Sequence, residues 1–147
     1  MDRRSEECAI RADRSHGARN LVINPDVVGD FTKMPFPDSS FWHVVFDPPH
    51  ERFGANSVLA KTYGTLYGED WREMLKGGFA ECFRVLKSNG TLIFKWSEVL
   101  IPIRKVLEMT ERKPLYGHIS GKRANTHWVA FIKTNEPSGT HSESVPQ

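Results

Sequence analysis

Apolar residues in this chain collect in short runs, and their spacing predicts the elements. Asn20-Leu21-Val22-Ile23 reads as a short strand closed by Asn24-Pro25. Phe41 to Phe46 is a nearly continuous apolar run, the pattern of a strand buried on both faces in a parallel sheet. It stops at Asp47-Pro48-Pro49, because proline brings no N–H to a ladder. The period then changes. Asp70 is placed as an N-cap with Glu73 in capping-box position, and Trp71, Leu75, Phe79, Cys82, Val85 and Leu86 recur at helical spacing until Asn89-Gly90. Thr91 to Trp96 is the next strand. Ile101 to Met109 is a short helix with Pro102 in its first turn, and Leu115–Ile119 and His127–Lys133 form a hairpin around the 120–125 loop.

The polar remainder divides the chain. Residues 1–18 are charged and aperiodic and read as a mobile or loosely helical arm; 19–133 read as a single α/β domain; 134–147 read as a disordered tail. Residues 50–69 form a long connection carrying Gly54, Gly64, Gly68, Tyr63 and Tyr67, and its aromatics suggest an ordered, lid-like segment. Strand, loop, helix, strand, helix and a strand pair is an α/β order.

Composition adds exclusions. A length of 147 residues suits one domain, and 39% hydrophobic with 26% charged residues is ordinary for a soluble protein. The net charge of +2 comes from 20 basic and 18 acidic side chains, which gives no electrostatic reason to expect nucleic-acid binding. The arginines at 3, 4, 11, 14 and 19 are diluted by acids and read as a solvated face. Cys8 and Cys82 make no metal spacing with any histidine, and Cys82 reads as a small buried hydrophobe. Neither a signal-like start nor a spanning run of apolar residues is seen, so a soluble protein of a reducing compartment is expected.

Ligands of open α/β sheets bind beyond the carboxyl ends of the strands. Asp47, Pro48, Pro49 and His50 lie at one such end, and Lys95, Trp96 and Ser97 at the next, so the two should line one crevice. His43 is expected in the core, while His118 and His127 flank the hairpin and could meet each other or a neighbouring subunit. Lys122 and Arg123 read as solvated turn charges. No nucleophile-elbow spacing supports a Ser-His-Asp triad.

Asp47-Pro48-Pro49-His50 resembles the Asp-Pro-Pro-Tyr motif of amino-methyltransferases that use S-adenosylmethionine. The run from Asp30 to Asp47 and the segment Phe83-Arg84-Val85-Leu86-Lys87-Ser88-Asn89-Gly90-Thr91-Leu92 are similar to class I methyltransferase sequence. This implies a truncated Rossmann, methyltransferase-like sheet, mostly parallel with a C-terminal antiparallel strand pair. Two departures stand out. No G-x-G loop follows a first strand, as if the chain began near the end of that fold's second strand, and His50 replaces the stacking tyrosine.

A remnant of this kind resembles the phage S-adenosylmethionine lyases, formerly classed as hydrolases. That resemblance implies cleavage of S-adenosylmethionine, as substrate rather than cofactor, to 5′-methylthioadenosine and homoserine lactone. It also implies a homotrimer with sites between subunits, in the cytoplasm of an infected bacterial host, and an acidic catalytic residue at Glu69. The substrate's own carboxylate can attack its γ-carbon, so neither a metal nor a protein nucleophile is required. The protein must hold the attack geometry and exclude water. Asp47, Pro48, Pro49, His50, Tyr63, Lys95, Trp96 and Ser97 are the expected substrate contacts, with Tyr67 and Phe94 as further apolar walls. The alternatives are an amino-methyltransferase acting on DNA or another acceptor, and a non-enzymatic binding module.

Overall fold

The helical stripe and the apolar runs converge on one side of a four-stranded sheet. The structure is a computed structural model that describes residues 1–2, 5–10, 19–50, 70–121 and 125–134. The described residues form six strands: β1 (Glu6–Ile10), β2 (Arg19–Ile23), β3 (Phe41–Phe46), β4 (Leu86–Ser97), β5 (Tyr116–Ser120) and β6 (Thr126–Ile132). The described helices are α1 (Trp71–Val85) and α2 (Ile103–Leu107). β1 and β2 pair antiparallel as a separate ribbon, so the expected irregular arm contains a strand. Its glutamates carry no apolar alternation, and the form is set by pairing with β2.

The main sheet has the order β3-β4-β6-β5. β3 and β4 are parallel, while β6 is antiparallel to both of its neighbours. The expectation of a mostly parallel sheet is therefore corrected: one adjacent pair is parallel and two are antiparallel. The expected C-terminal antiparallel pair is present as β5 and β6, with β6 placed between β4 and β5 and antiparallel to both.

α1 forms because its apolar residues fall on one stripe and its first turn is capped. The Arg72 N–H donates to the Asp70 carboxylate at 3.0 Å. Leu75, Phe79, Cys82 and Val85 are buried, and the Phe79 ring meets those of Phe46, Phe94 and Phe131 at centroid distances of 5.5, 4.8 and 6.1 Å. Each such side chain contributes about 1.5–3 kcal/mol through burial. The helix ends at Val85, four residues before the expected Asn89-Gly90 stop. Leu86 is already extended, and Asn89, at φ 61°, sits in a bulge of β4. Phe41 pairs with Leu86 but His43 with Thr91, so two steps along β3 match five along β4. Asn89 and Gly90 exchange backbone hydrogen bonds with Lys133 beyond β6, which fixes the bulge. A Cβ on Gly90 would stand 2.8 Å from the Lys87 carbonyl oxygen and 2.9 Å from that of Trp42, so the position requires glycine.

Both helices contribute to the same core. Val106 of α2 joins Leu75, Phe79, Phe46, Phe94 and Phe131. β4 alternates Leu92, Phe94 and Trp96 into that core with Ile93, Lys95 and Ser97 on the other face. Among the described residues no helix covers that second face. β3 was expected to be buried on both faces, yet it is an edge strand with Val45 59% exposed. No described helix is long and apolar enough to cross a membrane.

Candidate functional site

Parallel pairing of β3 with β4 brings their carboxyl ends together, as the order of the sequence predicts. Phe46 lies opposite Phe94, so Asp47 and Lys95 follow on the uncovered face. Lys95 Nζ donates to Asp47 Oδ2 at 2.6 Å, with the two side chains 32% and 42% exposed. The pair is wet and contributes about 0.2–1 kcal/mol at most. Its charges remain available to a ligand.

The other expected contacts lie around this edge. Pro48 is buried, and Pro49 and His50 are half-buried. The His50 ring approaches Trp96 edge-on at 6.1 Å. Trp96 is fully buried, stacked on Phe94 at 6.0 Å and 18°, and its indole N–H donates to the Ile101 carbonyl at 2.8 Å. Trp96 and Phe94 thus form the base beneath His50 and present no ring face to solvent. Ser97 is half-buried at the end of β4. Glu69, Tyr63 and Tyr67 lie outside the described residues, as do Lys122 and Arg123.

The loop after β4 is held by Glu98. Its N–H donates to the Asn125 carbonyl at 2.9 Å, its Oε2 accepts from the Ile103 N–H at 3.1 Å, and its Oε1 stands 3.0 Å from His127 Nε2. The Ile103 N–H, and after it His127, holds the Glu98 carboxyl below its ordinary value. One side chain therefore ties the end of β4, the start of α2 and the start of β6 together.

The histidines fall differently from expectation. His43 is exposed on the open face, where its Nδ1 lies 2.7 Å from Thr91 Oγ1, because an edge strand does not bury its second face. His118 pairs with Trp128 on the open face and His127 faces the core, so the two do not meet.

Trp128 was missed as a site residue. It sits directly between Lys95 of β4 and His118 of β5, its Nε1 donates to Ser120 Oγ at 3.1 Å, and Lys95 Nζ lies 5.6 Å from its ring centre. The apolar run from Thr126 to Ile132 hides its direction, which the burial of alternate residues shows. His127, Val129 and Phe131 face the core, which turns Trp128 outward. Cys82 is buried as expected, and burial pushes its thiol up to about 12. Among the described residues no group of His, Cys, Asp and Glu is placed to hold a metal ion.

No protein-family model matches the chain, and no curated protein does. Among solved structures it is similar to the PH0226 protein of Pyrococcus horikoshii, with a TM-score of 0.51 at 16% identity. That likeness covers 74% of this chain and 58% of PH0226. It is also similar to TTHA0409 of Thermus thermophilus, a provisionally assigned DNA modification methylase, with a TM-score of 0.47 at 16% identity over 76% of this chain and 53% of that one. The chain thus spans little more than half the length of either. The fold is an open α/β sheet of the kind seen in PH0226.

Proposed function

We propose that this protein binds S-adenosylmethionine beyond the carboxyl ends of β3 and β4 and cleaves it as a lyase. The observation that carries the reading is the Asp47-Pro48-Pro49-His50 strand end set beside Lys95, with the Asp47–Lys95 pair at 2.6 Å and His50 over Trp96. The position agrees with where open α/β sheets bind ligands. The two prolines fix an extended path for the backbone past a flat ligand.

The reaction balances within one substrate. The carboxylate oxygen forms a bond to the γ-carbon, the γ-carbon–sulfur bond breaks, and its electron pair returns to sulfur. Homoserine lactone and neutral methylthioadenosine result, with no proton transfer. Charge is lost in the transition state, so a water-poor site favours it. Asp47 supplies an acceptor for donor groups of the substrate, and Glu69 is the group that the lyase resemblance implies for the α-ammonium. Among the described residues the sheet edges at β3 and β5 are unpaired, which supports a closed homo-oligomer, for which the resemblance implies a trimer.

Incubation of the purified protein with S-adenosylmethionine, followed by chromatographic separation, tests the reading. Methylthioadenosine with homoserine lactone is the expected result. Homoserine released directly would indicate hydrolysis. S-adenosylhomocysteine formed only with an added acceptor would indicate methyl transfer. Unchanged substrate under all conditions refutes the proposal.

A further inference from the structure

We infer that the indole of Trp128 is a stacking platform for a 6-aminopurine ring, the adenine of the ligand proposed above, on whose binding the inference rests. The inference adds the uncovered sheet face to the site. Trp128 lies at the carboxyl end of the parallel pair, in one row with His118 and with Lys95, which is paired with Asp47. Trp128 is 39% exposed.

The ring is held in place before any ligand arrives. The Ser120 hydroxyl takes the indole N–H at 3.1 Å, while the Lys95 ammonium, 5.6 Å from the ring centre in the free protein, turns to the ligand when a base stacks. A side chain whose rotamer is already fixed loses little freedom on binding. An indole kept for packing would instead turn into the core, where His127 and Val129 of the same strand are buried.

The surrounding groups select the ring. An aromatic face stacks any nucleobase, and more strongly the larger purines. Asp47 offers an acceptor for an exocyclic amine, and Lys95 offers a donor for a ring nitrogen, the complementary pattern to an adenine edge. Their mutual ion pair is exposed and weak, so redirecting it to a ligand costs little.

Calorimetric titration with S-adenosylmethionine and with 5′-methylthioadenosine, which lacks the methionine tail, tests this directly. Trp128→Ala is expected to weaken both ligands by about tenfold or more, and by the same factor, because the loss lies at the shared nucleoside. Trp128→Phe keeps a stacking face and should stay within about threefold of wild type. Trp42→Ala, at an indole outside the site that is 64% exposed, should bind as wild type does. Wild-type affinity for both ligands in Trp128→Ala overturns the platform while leaving the lyase reading intact. Failure of the wild-type protein to bind S-adenosylmethionine overturns both. An oligodeoxyadenylate arm identifies the source of the base: tighter binding than methylthioadenosine, lost in Trp128→Ala, assigns the platform to single strands.

Discussion

Replacing Trp96 by phenylalanine isolates one buried hydrogen bond beneath the site. The ring position and its stacking on Phe94 at 6.0 Å are retained, but the indole N–H that meets the Ile101 carbonyl at 2.8 Å is removed. Trp96 is fully buried, so no bulk water replaces that donor. A buried carbonyl left unmet costs about 1–3 kcal/mol. The volume lost between indole and phenyl adds roughly 1 kcal/mol at about 24 cal/mol per Å³ of cavity. Together these give a loss of about 2–4 kcal/mol, a large share of a typical domain's stability. Urea unfolding should show a lower midpoint with an unchanged slope, and the thermal midpoint should fall by roughly 8–15 °C. Trp128→Phe is the reference, since its ring is partly exposed and a change within about 0.5 kcal/mol is expected there. A loss below about 0.5 kcal/mol for Trp96→Phe would refute the reasoning, because it would mean that the Ile101 carbonyl is not desolvated.

Three further outcomes follow from the geometry. Gly78→Ala should destabilise by about 1–3 kcal/mol, since its Cβ would stand 2.5 Å from the Phe46 ring, whereas Gly77→Ala, 3.4 Å from Thr32, should gain about 0.5–1 kcal/mol in helix propensity; thermal melts of the pair check the contrast. The Glu98 carboxyl is held below its ordinary value of 4.5, so its contribution is present in full above that pH and is lost as pH falls through the lower folded value. Glu98→Gln should therefore be less stable at neutral pH and show a shallower acid loss by pH-dependent denaturation. With Cys8 replaced by serine, the Cys82 thiol should resist labelling in the native state and react fully once the chain is unfolded, because burial raises it to about 12.

Periodicity located most elements, because each buries one face against the same core. The α1 stripe from Trp71 to Val85 is visible in the sequence. Its failures are non-local. Leu86-Lys87-Ser88 is compatible with helix, and the hydrogen bonds between Asn89, Gly90 and Lys133 make it a strand bulge. Glu6 to Ile10 carries no alternation, and only β2 makes it a strand. The apolar run of β3 gives no sign that it would lie at an edge, with Val45 exposed and His43 on the open face. At the site, adjacency of β3 and β4 was enough to bring Asp47 to Lys95. Trp96 and Trp128 were not distinguishable as buried base and exposed ring, because both belong to runs in which nearly every position is apolar.

The placement of β6 between β4 and β5 also bears on how the protein is made. β6 follows every other described strand during synthesis, yet it is an interior member of the sheet. Until Thr126 to Ile132 have left the ribosome, β4 has only β3 beside it, and Phe131 is missing from the core around Phe79. The central ladder is thus closed by contacts distant in sequence, which form slowly. A nascent chain must hold α1 against a two-stranded, half-covered sheet while it waits, and that interval is when its exposed strand edges are most open to wrong pairing.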